Sequence, residues 1–100
     1  MNESVTVVVT AVFNPEELQV AQSYMQGAIP LLLKGGGEII SRVRAERALV
    51  GEARYDACMV LRFPSVSAVE AIFASPEYAA LVPLRKAGFK SVDVVVANAM

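Results

Sequence analysis

Three side chains in this sequence could hold a small anion: Arg42, Tyr78 and Arg85. Tyr78 and Arg85 are seven residues apart, which places them about two turns apart on one stripe of a helix. A guanidinium presents five donors in a planar fork that suits carboxylates, and a tyrosine hydroxyl can donate a further hydrogen bond. We therefore expect the three residues to border one ligand-binding pocket, with a purely structural role for Tyr78 and Arg85 as the alternative.

Other catalytic chemistries find little support in the residue types. The chain contains no histidine, which removes the commonest general base and metal ligand. Cys58 is the single cysteine and stands among apolar residues, so we interpret it as a structural thiol and not a nucleophile. Carboxylates show no dense ligand spacing, so neither a metal nor another cofactor is expected. Catalytic residues therefore stay unassigned.

Composition favours one compact domain over residues 1–100. Hydrophobic residues make up 55% of the chain, above the roughly 45–50% of ordinary soluble domains, which is more than a small monomer can easily bury. The net charge of −1 favours neither nucleic acid nor an anionic membrane as a partner. The amino terminus has no basic region of a secretory signal, and the lone cysteine fits a reducing compartment, so a cytoplasmic protein is expected.

Two strands and a helix are predicted in the first half of the chain. Residues 4–13 are apolar on both alternating faces, which is typical of a central strand. Asn14, followed by a proline, favours a helix that begins there with Asn14 as the N-cap. The glycines at 35–37 should end this helix. Its predicted buried stripe comprises Leu18, Ala21, Met25, Ala28, Ile29 and Leu32.

A half-exposed strand is predicted over residues 38–50 because polar and apolar residues alternate. Its apolar face would contain Ile39, Val43, Ala45 and Leu49, and its charged face Arg42, Arg44 and Glu46. Five arginines between 42 and 62 are interleaved with acidic residues, a pattern typical of solvated charge pairs.

The second half predicts two further strands, 54–63 and 91–98, with helices between them. Ser67 and Glu70 form a capping-box pattern for a helix that ends at Phe73. Ser75, followed by a proline, then favours a second helix start that leads to about Gly88. The connection between the two strands is therefore expected to be a broken helix.

The resulting order β-α-β-β-α-β is that of the ferredoxin-like α+β fold, a four-stranded antiparallel sheet with both helices on one face. Right-handed crossovers place the two helices on the same face and leave the other face bare. Three of the four strands have apolar residues on both sides, so the bare face would form a large apolar patch. We therefore predict a homodimer in which two sheets pack face to face.

Residues 60–89 carry a family resemblance in the elements Phe-Pro-Ser (63–65), Ser-Pro-Glu-Tyr (75–78) and Pro-Leu-Arg (83–85). With these elements the sequence resembles DUF1330, a family of uncharacterised domains within the dimeric α+β-barrel group. Gly36-Gly37 and Arg42 resemble the family's glycine pair and its strand-two arginine. The resemblance implies the fold and a dimer, and it implies no agreed reaction.

Three functions stay open on the sequence alone. The first is an enzyme or binding protein that takes a small, anionic molecule into the barrel cavity. The second is a structural or interaction dimer without chemistry, which needs no polar cavity. The third is a cofactor-free monooxygenase, which fold analogy alone suggests.

Overall fold

A computed structural model of the chain describes residues 4–100. Within them, four strands form one antiparallel sheet in the spatial order β2-β3-β1-β4. The elements in chain order are β1 (Val5–Phe13), α1 (Leu18–Lys34), β2 (Glu38–Arg44), β3 (Ala57–Phe63), α2 (Val66–Phe73), α3 (Pro76–Ala79), α4 (Val82–Gly88) and β4 (Phe89–Ala97). The predicted ferredoxin-like α+β fold is confirmed, with three short helices making up the second crossover.

Strand β1 lies inside the sheet and pairs with β3 along one edge and with β4 along the other. Val7 lies opposite Leu61 in β3 and opposite Val96 in β4. Both Val7 and Leu61 are fully buried beneath the helices. The central position predicted for residues 4–13 is therefore confirmed. The core on this side of the sheet also contains Val5, Leu32, Phe63, Val69 and Ile72.

Asn14 does not cap α1, which begins at Leu18 instead. The Asn14 side chain accepts a hydrogen bond from the backbone of Glu16, which closes a turn before the helix. Its amide group donates to the carbonyl oxygen of Ala87 at 3.1 Å, and its backbone N–H donates to that of Gly88 at 3.0 Å. Asn14 therefore satisfies carbonyl groups at the end of α4, which the sequence spacing could not indicate.

The predicted glycine stop of α1 is confirmed. Gly36 adopts a φ of 106°, a left-handed conformation that strains any residue with a Cβ. Gly36 N–H donates to Leu33 and Gly37 N–H donates to Leu32, which satisfies carbonyl groups of the last turn in a Schellman motif. Among residues 4–100, no helix has the length and apolar character needed to cross a membrane.

Strand β2 contains a bulge. Ile39 pairs with Leu61 of β3, but Ser41 pairs with the adjacent Val60, so Ile40 is an extra residue without a partner. The strand is also shorter than predicted. Residues 45–56 form a long connection to β3, whereas the alternation had suggested strands over 38–50 and 54–63.

The bulge decides which side of the sheet the arginines occupy. Arg42 lies opposite Met59, which packs against the core beneath the helices, and Arg44 shares that face two residues later. The prediction that Ile39 and Val43 share one face is therefore wrong. Val43 faces away from the helices and is 52% exposed.

Serine side chains cap two of the short helices. Ser65, and not the predicted Ser67, caps α2 by accepting a hydrogen bond from the Ala68 N–H at 3.2 Å. The predicted cap at Ser75 is confirmed: its hydroxyl oxygen accepts from the Tyr78 N–H at 3.1 Å. The chain also breaks between α3 and α4, where a single helix was expected.

We expect Ser65→Ala to lower the free energy of unfolding by about 0.5–2 kcal/mol, because the Ala68 N–H loses its acceptor. Ser67→Ala is the matched control: Ser67 is exposed on the same helix, and its replacement should change stability by less than about 0.5 kcal/mol. Chemical denaturation of both variants at one protein concentration measures the difference. Equal losses would show that the cap is misassigned.

Candidate functional site

A cavity of about 280 Å³ lies between the sheet and the helices. Its wall is largely apolar and includes Val9, Ala28, Phe73 and Phe89. The volume is near the lower end of the range of about 300–1,000 Å³ that is usual for ligand pockets. An apolar pocket of this size suits a small, mostly apolar molecule.

Arg42 and Arg44 provide the charge in the cavity lining of the described chain, and no carboxylate lines it. Both residues come from the edge strand β2, and both are exposed, so they stand where the cavity meets solvent. The bulge at Ile40 turns them to this side of the sheet. The cavity therefore combines an apolar interior with two positive charges at its edge.

Tyr24 and Tyr78 also line the cavity, and their hydroxyl groups are 2.8 Å apart. Arg85 donates an Nη1 hydrogen bond to the Tyr78 hydroxyl oxygen at 2.9 Å. Tyr24 is 8% exposed and Tyr78 is 4% exposed. The three side chains thus form a hydrogen-bonded chain that runs from Arg85 through Tyr78 to Tyr24, and the two tyrosines of this chain line the cavity.

Aromatic packing holds the two tyrosine rings in place. Tyr78 meets Phe73 edge-to-face with ring centroids 4.7 Å apart, and Tyr24 meets Phe89 in the same way at 5.4 Å. The Ser75 cap fixes the backbone of the helix that presents Tyr78.

A close contact between two helices brings Tyr24 and Arg85 to the same region. Gly88 ends α4 against Ala21 of α1, and a Cβ at Gly88 would come within 2.6 Å of the Ala21 Cα. Only glycine allows the helices to approach so closely without movement. Tyr24 is one turn from Ala21, and Arg85 is one turn from Gly88.

Burial raises the pKa of the Tyr24 hydroxyl well above its ordinary value, and the neighbouring Tyr78 raises that pKa further. The positive charge of Arg85 opposes these effects. Tyr24 therefore stays protonated throughout the neutral range and can act as a hydrogen-bond donor, while it cannot act as a base there.

The structure places two of the three residues expected to border one pocket in the same cavity, and the third outside its lining. Arg42 and Tyr78 line the cavity, whereas Arg85 lies behind Tyr78 and lines a different surface groove together with Lys86 and Lys90. Within residues 4–100, the Arg85 side chain donates its hydrogen bond to the Tyr78 hydroxyl, which leaves the structural alternative open.

Sequence reasoning missed Tyr24, and it did not include Arg44 among the site residues although it placed Arg44, like Arg42, on the face of β2 opposite Ile39. Tyr24 lies three residues after Ala21 and four before Ala28, so the helical spacing of the buried stripe could have identified it. Leu18, which was placed in that stripe, is 56% exposed. Within residues 4–100, no group of three or more cysteine, aspartate or glutamate residues is arranged to hold a metal ion.

The fold and the cavity define the class of the protein: a ferredoxin-like α+β domain with a pocket between sheet and helices. Residues 6–100 match the family described as Domain of unknown function (DUF1330), and the chain belongs to that family. The resemblance inferred from the motifs in residues 60–89 is therefore confirmed. Among curated proteins, none matches the chain.

Solved structures support the fold at low sequence identity. A protein of unknown function from Rhodopseudomonas palustris has a TM-score of 0.84 at 16% identity, over 100% of this chain and 85% of that one. A dimeric protein of unknown function from Bacteroides fragilis has a TM-score of 0.67 at 15% identity, over 99% of this chain and 100% of that one. A putative antibiotic biosynthesis monooxygenase from Bacteroides thetaiotaomicron has a TM-score of 0.69 at 11% identity, over 98% of this chain and 90% of that one.

The hydrogen-bonded tyrosines should be energetically coupled. We expect Tyr78→Phe to lower the free energy of unfolding by about 1–3 kcal/mol, because both Tyr24 and Arg85 lose a partner. Tyr24→Phe should cost less, and the double variant should cost less than the sum by about 0.5–1.5 kcal/mol.

Tyr55→Phe is the control for this cycle, because Tyr55 lies in the exposed loop before β3 and should tolerate the same change. Denaturant unfolding of the parent protein, the two single variants and the double variant at one protein concentration measures the coupling free energy. Strictly additive losses would contradict the hydrogen-bonded chain.

Proposed function

We propose that the chain is a homodimeric protein that binds a small apolar molecule carrying a negative group in the cavity between sheet and helices. One observation supports this most directly: the cavity is lined by apolar residues and two arginines, with no carboxylate in its lining among the described residues. The apolar wall would take the body of the ligand, and Arg42 or Arg44 would pair with its anionic group.

A binding role fits the chemistry of the cavity better than catalysis. No carboxylate lines the described cavity, the chain has no histidine, and Tyr24 stays protonated at neutral pH, so the commonest general bases are missing from the cavity lining. The similar structure with a monooxygenase name suggests cofactor-free oxygenation as a second candidate. That reaction would require a substrate that forms its own carbanion.

The homodimer is proposed from the outer face of the sheet, the face opposite the helices. By register this face contains Val8, Val60 and Val95, which lie side by side on β1, β3 and β4. Val95 is 52% exposed in the single chain. A row of valines on a solvated face is unusual for an antiparallel sheet, and a second copy with the same row would cover it in a two-fold interface.

The similar protein from Bacteroides fragilis, described as dimeric with a ferredoxin-like fold, adds support to this proposal. In this assembly residues 1–100 would act as a single dimeric α+β-barrel domain. A cytoplasmic location, which the sequence favours, stays a prediction.

For the ligand proposal, we expect 2-naphthoate to bind about tenfold more tightly than the neutral isostere 2-naphthamide. The carboxylate can form an ion pair with Arg42 or Arg44 through two hydrogen bonds, whereas the neutral amide offers a single carbonyl oxygen as acceptor. Replacing both arginines by glutamine should remove most of this preference. Isothermal titration calorimetry with the two compounds measures it.

Arg47→Gln is the matched control for charge, because Arg47 lies in the exposed loop after β2 and does not line the cavity. Its replacement should leave the preference for the carboxylate unchanged. A protein that binds neither compound, or one that binds both equally well, would contradict the proposed function.

For the dimer proposal, light scattering should give twice the chain mass of 10.7 kDa at micromolar concentration. Val8→Asp places a charge in the middle of the outer face and should yield a folded monomer, because the interface would have to bury that charge. Val7→Asp, one residue away on the fully buried face, should instead unfold the chain. A monomeric parent protein, or a Val8→Asp variant that stays dimeric, would rule out this interface.

A further inference from the structure

The Tyr24 and Tyr78 hydroxyl groups carry two protons, but within residues 4–100 their hydrogen bonds use only one of them. A guanidinium can only donate, so the Tyr78 oxygen must accept the bond from Arg85. The contact between the two hydroxyls uses one of their two protons. Within residues 4–100, neither hydroxyl forms another hydrogen bond, so one proton is left without an acceptor in the cavity wall.

The charge of Arg85 favours Tyr24 as the holder of that proton. A cation that donates to the Tyr78 oxygen withdraws electrons from it, which makes the Tyr78 O–H a better donor. Tyr78 then donates to Tyr24, and the Tyr24 O–H becomes the end of the chain. If Tyr24 donated to Tyr78 instead, the Tyr78 oxygen would accept two hydrogen bonds, and the Tyr78 O–H, the better donor of the two, would have no acceptor.

The surroundings of Tyr24 contain little that could accept its proton. Tyr24 is more than nine-tenths buried and packs with Ala28, Phe89 and Ala11. A buried donor without an acceptor is costly in such an apolar environment. A ligand that supplied an oxygen atom at this place would remove the cost.

We propose that the Tyr24 hydroxyl donates a hydrogen bond to a carbonyl or anionic oxygen on the apolar body of the ligand, and that Arg85 acts through Tyr78 as a positioning residue. The proposal deepens the proposed function and rests on it. The ligand class is thereby narrowed to molecules with two polar points: an anionic group for the arginines of β2 and a separate oxygen acceptor for Tyr24.

Two probes that differ in a single acceptor atom test the proposal. 6-Acetyl-2-naphthoate has a ketone oxygen where 6-isopropenyl-2-naphthoate has a methylene group of similar shape. We expect the parent protein to bind the acetyl compound about fivefold to tenfold more tightly. The carbonyl stretching frequency of the bound acetyl compound should also fall relative to the same compound in an apolar solvent, because a hydrogen bond weakens the C=O bond.

Three variants test whether the affinity preference and the frequency shift come from Tyr24 and from Arg85 acting through Tyr78. Tyr24→Phe should remove both the affinity preference and the frequency shift. Arg85→Gln should reduce the frequency shift while Tyr24 is still present, because the polarising charge is lost. Lys86→Gln removes an exposed neighbouring charge and should change neither quantity.

The possible failures are distinguishable. If the parent protein binds both probes equally and the carbonyl frequency does not fall, the role of Tyr24 is wrong while the anion pocket stands. The same holds if Tyr24→Phe keeps the preference. If neither probe nor 2-naphthoate binds, the proposed function itself is wrong. The comparison of the two probes on the parent protein needs no variant to fold.

Discussion

The pairing of β1 with a strand on each side is the constraint on which the site depends. β3 and β4 take their register from β1, so each of their side chains lies either beneath the helices or on the outer face according to its position. β2 pairs only with β3 and would inherit the same alternation. The extra residue Ile40 reverses that alternation, and for this reason Arg42 and Arg44 lie beside an apolar cavity.

The polar part of the site is small and lies inside a well-packed wall. The Tyr24 and Tyr78 rings each pack edge-to-face against a phenylalanine, and their hydroxyl groups meet where water has little access. A hydrogen bond is electrostatically stronger in such surroundings, and an unmatched donor is also more costly there. The close approach of Gly88 to α1 keeps Arg85 near enough to connect this pair to the protein surface.

Local patterns in the sequence predicted most of the fold and only part of the site. The order of strands and helices along the chain, the glycine stop and the Ser75 cap follow from signals that span a few residues. The bulge at Ile40 was missed because a strict two-residue period has no place for an insertion. Asn14 was misread because its partners in α4 are 73 and 74 residues away. The spacing of the buried stripe could have placed Tyr24 in the core, but not its hydrogen bond to Tyr78, which is 54 residues away.

The cavity and the outer face belong to opposite sides of the sheet, and β2 is the element that links them. Arg42 and Arg44 of this strand line the cavity, while by register the Val43 side chain between them lies on the opposite face and is 52% exposed. As an edge strand, β2 is held by hydrogen bonds to β3 alone. A second copy packed on the outer face would cover Val43 and restrict the movement of β2. In the proposed dimer the partner would therefore help to hold the two arginines in place.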